Sequence, residues 1–136
     1  MRHRPPDSDY GAPLHDLTKL YPADVYTHPH YYGDGRRDDR EAWSIAASTR
    51  GRPSRSTLVF RALPCTGKTL HKGDWVTTVR AYARDHAGSD EGQCVRWTRV
   101  KASCLHTDGN SLFEWGYNCE DVPFRGVSYR ARKRKS

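Results

Sequence analysis

The sequence predicts an α+β fold from three observations: a helical stretch over residues 38–49, strand-like segments after it, and one short helical stretch set among those strands. The 136 residues suit one domain, long enough to bury about two thirds of the surface its unfolded chain exposes. Hydrophobic content is only 35%, so part of the chain is expected to lie outside the core.

The ends are the candidates for that part. Residues 1–13, with three prolines, two arginines and no apolar periodicity, read as a flexible N-terminal arm. Residues 125–136 (RGVSYRARKRKS) read as a solvated basic tail, which leaves residues 14–124 as the folded domain. The tail holds six of the net +7 charges, so the first 124 residues carry only +1. A basic tail on a near-neutral body is open to contact with nucleic acid or another polyanion, but it is weaker evidence for readout than a basic face across the fold.

Cys65, Cys94, Cys104 and Cys119 lack the short paired spacings of a structural zinc site. No apolar leader opens the chain, and no run of 18 apolar residues spans a membrane. The expectation is therefore four reduced thiols in an intracellular protein without a membrane partner, with a disulfide framework as the alternative. His28 and His30, two apart, have no carboxylate or cysteine at a supporting spacing, so packing or surface roles are favoured over metal binding and no metal is implied.

In chain order, a short helix is expected near Leu14–Leu20, followed by a wrapped loop broken by Pro22 and Pro29 and turning at Gly33 and Gly35. Acids open the stretch 38–49, and Ala42, Trp43, Ala46 and Ala47 recur at helical spacing, which predicts a helix packed through Trp43. STLVFRAL at 56–63 is the clearest strand. It turns Leu58, Phe60 and Ala62 to one face and Val59, Arg61 and Leu63 to the other. Arg61 among apolar neighbours is either snorkelling at a sheet edge or aimed into a cleft at an anion.

TGKT at 66–69 imitates the end of a phosphate loop, but position 62, where that motif needs glycine, is Ala. DWVTT at 74–78 reads as a short strand that leads directly into a helix, because Val79, Tyr82, Ala83, His86 and Ala87 have helical spacing and Gly88 is a terminator. Residues 93–101 and 102–107 read as strand with a bend near Ala102 and Ser103, and HTDGN at 106–110 marks a turn. The stretch 111–119, SLFEWGYNC, reads as a late strand in which Leu112, Glu114 and Gly116 share a face. Glu is disfavoured among strand aromatics, so Glu114 is either solvated or kept for chemistry.

Arg61 in LVFRALP, Thr77 and Thr78 in GDWVTTVRAYARDHA, and Glu114 in DGNSLFEWGY fall in a telling order: arginine on a strand, hydroxyls at a strand end before a helix, glutamate on a late strand. That order resembles the ADP-ribosyltransferase family, in the clade with an arginine, serine/threonine, glutamate motif. The wording over about residues 58–117 is most similar to the small domains of bacteriophage and prophage proteins. The resemblance implies two small, roughly perpendicular antiparallel sheets around an NAD cleft with helices outside. It also implies mono-ADP-ribosyl transfer from NAD to a macromolecular acceptor with release of nicotinamide, in a bacterial host cytoplasm or in association with a virion.

On that resemblance Glu114 hydrogen-bonds a ribose hydroxyl as positive charge develops on the sugar. Arg61 holds the dinucleotide phosphates or the adjoining ribose. Thr77 orients the glutamate and contacts the nicotinamide ribose, and Thr78 takes the middle position of the hydroxyl motif. Tyr82 and Trp75 are candidates to stack on nicotinamide, against core packing for each. Two departures stand out. Val79 occupies a position often held by a hydroxyl, and Leu112 stands where members that modify arginine carry Glu and others carry Gln. The acceptor therefore stays open among protein side chains, nucleic acid and water. Two alternatives remain: an inactive domain of the same fold serving as a binding or virion-associated part, and a small basic nuclease or nucleic-acid-binding module using the tail and histidines.

Overall fold

Ser56–Pro64 (β2) and Gln93–Lys101 (β5) form the longest ladder of the structure, an antiparallel pairing in register from Ser56 opposite Lys101 to Pro64 opposite Gln93. The computed structural model describes residues 11–28, 39–109 and 111–131. Around that ladder stand two helices, Asp39–Thr49 (α1) and Arg80–Ala87 (α2). The remaining strands are short: Ala12–Pro13 (β1), Thr69–Leu70 (β3), Trp75–Val76 (β4), Leu105–Thr107 (β6), Trp115–Tyr117 (β7), Val122–Pro123 (β8) and Gly126–Arg130 (β9).

The architecture is a small α+β arrangement of antiparallel sheets. The described strands form a four-stranded sheet ordered β1-β6-β7-β4, a three-stranded sheet ordered β2-β5-β9, and a β3-β8 pair. That is three sheets where the family resemblance implies two. A single bridge, Phe60 opposite Thr77, ties the edge of the three-stranded sheet to the end of β4 through two backbone bonds of 2.8 and 2.9 Å. This bridge sets Arg61 beside β4, where it reaches Trp75 O.

The main core gathers Trp115, Phe113, Leu14, Leu17, Leu105, Val25, Val59 and Val79, each 2% exposed or less. A smaller cluster of Ala83, Ala87 and Val95 fills the space between α2 and the outer face of β2 and β5. Small residues on that face of α2 let the helix lie close to the sheet. Gly88, at φ 59°, ends the helix as its composition predicts.

Several elements differ from the sequence reading. The short helix near Leu14 is a single 3-10 turn at Leu17–Lys19, capped by Asp16, whose side chain accepts from the Thr18 N–H. α1 packs through Ala42 and Ala46 rather than through Trp43, which is half-buried and donates its indole N–H to Val25 O at 3.2 Å. The turn at Gly33 and Gly35 lies outside the described residues.

Both ends of the expected domain extend further. Ala12 and Pro13 pair with Thr107 and His106, and Leu14 N donates to Leu105 O, so this part of the N-terminal arm is a strand. β1 is an edge strand, where the N–H that proline lacks is not needed by a neighbour. Gly126–Arg130, read as tail, is an edge strand on β5, and Ala131 is 4% exposed. The basic residues that flank it, from Arg125 to Lys135, obscured the strand pattern; within the strand only Arg130 is charged.

The expectation of four reduced thiols is overturned. Cys65 is bonded to Cys94, with Cα atoms 5.0 Å apart, and Cys104 to Cys119, with Cα atoms 5.3 Å apart. The physical reason is register: Cys94 faces Leu63 across the β2–β5 ladder, so the turn after Pro64 returns Cys65 alongside it. Likewise Asn118 N donates to Cys104 O, which brings Cys119 beside Cys104. Such bonds persist in non-reducing surroundings, which does not match the cytoplasmic expectation. Among the described residues, no helix is long and apolar enough to cross a membrane.

Candidate functional site

A cleft of about 400 Å³, open to solvent, lies where the β2 edge, β4, α2 and the residue before β7 converge. Its walls include Arg61, Trp75, Thr77, Tyr82, His86 and Glu114. Five of these are residues singled out from the sequence, and they come from four separate segments.

Arg61 is directed into this cleft and is also anchored. Its Nη1 donates to Trp75 O at 2.6 Å, and its Nε stands 3.9 Å from Asp74 Oδ2, with about 29% of the side chain exposed. Its strand, β2, is at the same time an edge of the three-stranded sheet. Opposite Arg61 in the ladder is Arg96, whose Nη2 donates to Cys65 O at 2.8 Å and whose buried Nε has no hydrogen-bond partner among the described residues. Their guanidiniums are held on different carbonyls, Trp75 O for Arg61 and Cys65 O for Arg96, and Arg96 does not line the cleft.

Thr77 is 4% exposed, and its hydroxyl accepts a 3.1 Å bond from the Val79 N–H at the start of α2. This fixes the hydroxyl oxygen and leaves its proton to donate elsewhere. Thr78 parts from it. Successive side chains in extended backbone point to opposite faces, and Thr78 lines a second cavity instead of the cleft. Val79 is wholly buried as the N-cap of α2.

Glu114 sits just ahead of β7, since the stretch 111–119 is a strand only over Trp115–Tyr117. Phe113 and Trp115 on either side are buried, and Trp115 donates its indole N–H to Leu112 O at 2.9 Å. The backbone around Glu114 is thus pinned by aromatic packing, while its own side chain is 43% exposed. Leu112 is core, 7% exposed, and takes no place in the cleft. Gly116 is paired on both sides, with Trp75 and His106.

Tyr82, for which core packing was favoured over stacking on nicotinamide, packs against a neighbouring aromatic. Its ring stacks on Phe113 with centroids 5.1 Å apart, and its hydroxyl donates to Glu114 Oε1 at 2.6 Å. No family model, curated protein or solved structure matches this chain. The site therefore rests on its own geometry.

His86, one turn after Tyr82 on α2, was missed by the sequence reading as a site residue. Its Nδ1 lies 3.1 Å from Tyr82 O and its Nε2 lies 4.0 Å from Glu114 Oε1. Because a carbonyl oxygen only accepts, the bond to Tyr82 places the proton on Nδ1 and turns Nε2 toward the carboxylate. The signal was available in the four-residue spacing of Tyr82 and His86, which puts both on one helix face. His28 is exposed, with its Nδ1 3.1 Å from Thr27 Oγ1, and His30 lies outside the described residues.

Proposed function

We propose that this protein transfers ADP-ribose from NAD to a macromolecular acceptor, releasing nicotinamide, as the ordered resemblance to phage ADP-ribosyltransferases implies. The observation that carries the reading is the meeting of Arg61, Thr77 and Glu114, 53 positions apart at the extremes, in one solvent-open cleft. A strand arginine, a strand-end hydroxyl and a late carboxylate have no common structural reason to converge.

NAD supplies a glycosidic bond whose nicotinamide departs with the bonding electron pair, leaving positive charge on the ribose that an acceptor nucleophile then quenches. Glu114 lies where a ribose hydroxyl can donate to its carboxylate, an interaction that strengthens as that charge grows. Tyr82 fixes one carboxylate oxygen and leaves the other for the sugar. Arg61 answers the negative charge of the diphosphate, and its anchored Nη1 and Nε leave the Nη2 edge for the ligand. Thr77 donates its free proton toward the same ribose.

Purified protein incubated with NAD is expected to release nicotinamide, measured by chromatography. Labelled NAD with a bacterial lysate, followed by nuclease or protease digestion, then identifies the acceptor class by which treatment destroys the labelled product. Absence of both nicotinamide release and label transfer would overturn the proposal.

A further inference from the structure

The geometry points to a phosphate-binding subsite in the second cavity, on the far side of Phe60 from the cleft. This cavity, about 670 Å³ including its mouth, lies between α1, the start of α2 and the outer end of the β2–β5 ladder. Arg55, Arg80 and Arg99 line it against one carboxylate, Glu41. A solvent-open cavity with three guanidiniums to one acid has a positive field, and its walls focus that field on whatever enters.

Thr78 provides a second, independent observation. The residue is 2% exposed, lines this cavity, and its hydroxyl has no hydrogen-bond partner among the described residues. A buried hydroxyl without a partner is destabilising, and a ligand oxygen at this wall removes that cost. The N-terminus of α2 also borders the cavity, since Thr78 and Arg80 flank its N-cap. The N-cap, Val79, provides no side-chain cap and the first turn holds no acid, so nothing on the helix itself neutralises the positive end of its dipole. Uncapped amides, a hydroxyl donor and arginine forks are the donor set that tetrahedral phosphate oxygens require. Arg80 is held at the rim by its Nη2 bond to Ser128 O at 2.7 Å.

The phosphate can belong to a small molecule or to a polynucleotide backbone, and one experiment separates them. Amide spectra of the labelled protein are recorded with inorganic phosphate, and anisotropy is measured with a fluorescent single-stranded oligonucleotide, both at low salt and without NAD. Shifts at Thr78, Arg80 and Ala81 with phosphate alone assign a small-molecule subsite. The same shifts together with oligonucleotide binding assign a polynucleotide backbone.

The Arg55→Ala/Arg99→Ala variant is expected to weaken binding at least ~10-fold and, with the oligonucleotide, to reduce the salt slope by about two. Both arginines are exposed, so their removal leaves packing alone. Thr78→Val removes the hydroxyl at constant shape and is expected to weaken phosphate binding ~10-fold, the scale of one lost hydrogen bond to a charged group. If Thr78→Val does not fold, the double variant decides. Arg130→Ala, a β9 arginine outside the cavity, is the comparison for general charge loss. Absence of shifts at these amides, or equal weakening in the double variant and Arg130→Ala, would overturn the subsite. Because no arm uses NAD, its failure leaves the ADP-ribosyl transfer proposal untouched.

Discussion

Tyr82 donates its hydroxyl to Glu114 Oε1 at 2.6 Å while the same ring stacks on Phe113, the residue next to Glu114 in the chain. One side chain of α2 therefore positions both the carboxylate and the backbone that carries it. If Glu114 stabilises positive charge on a ribose, Glu114→Gln should lower nicotinamide release at least ~10²-fold, the scale of losing one transition-state contact. Tyr82→Phe keeps the stacking and removes only the hydroxyl, so a smaller loss of about 10-fold in kcat is expected, with KM for NAD little changed. Steady-state kinetics check both. Unchanged turnover in Glu114→Gln would remove the role given to the carboxylate.

Arg61 joins fold to site, because the guanidinium that faces the cleft also closes onto Trp75 O and Asp74. Arg61→Ala should raise the Kd for NAD at least ~10-fold and lower the melting temperature by several degrees, since the charge-assisted bond to Trp75 O is lost along with the ligand contact. Arg61→Lys should recover stability better than affinity, because an ammonium reaches one acceptor where a planar fork reaches two. Calorimetry with NAD and thermal unfolding monitored by circular dichroism separate the two effects.

The parts of this site that the sequence revealed are those set by local pattern. Arg61 was legible because period-two alternation gave its face, and α2 because apolar spacing and Gly88 bounded it. Tyr82 as a positioning residue was not legible, since its partner lies 32 residues away and only the packing of Phe113 brings the two together. The disulfides were hidden for the same reason: separations of 29 and 15 residues have no local signature, and register alone aligns the cysteines. The β9 strand was obscured by the basic residues around it. Thr77 and Thr78 were read as parts of one hydroxyl motif, whereas extended backbone sends them to different cavities.

Both disulfides enclose site residues. The Cys65–Cys94 loop contains Thr77, Tyr82 and His86, and the Cys104–Cys119 loop contains Glu114. For loops of 29 and 15 residues, restriction of the unfolded chain stabilises the fold by about 3–4 kcal/mol each. Reduction should accordingly lower the melting temperature by on the order of 10 °C or more. Cys104→Ser/Cys119→Ser should lose nicotinamide release at temperatures where circular dichroism still reports a folded protein, because the segment carrying Glu114 loosens first. A melting temperature insensitive to reductant would show that these bonds do not form in solution.

Stability should also decline at strongly alkaline pH, and Tyr21 is the main reason. Burial, then the nearby negative charge of Asp108, push its phenol up to about 12 from an ordinary value of 10.0. The Tyr21 hydroxyl donates to Gly109 O at 2.9 Å, a bond that needs the proton. Above pH 10 the unfolded chain releases this proton while the folded protein retains it, so the folded state binds more protons and stability falls with pH. The contribution is fully present below about pH 10 and is lost as pH rises toward 12. Tyr117 is raised in the same direction, chiefly by burial, and adds to the slope. Urea unfolding between pH 8 and 12 should show this decline. Tyr21→Phe should be about 1 kcal/mol less stable at neutral pH for want of the bond to Gly109, yet should fall less steeply above pH 10. An equally steep decline in that variant would show that Tyr21 ionisation is not what couples stability to alkaline pH.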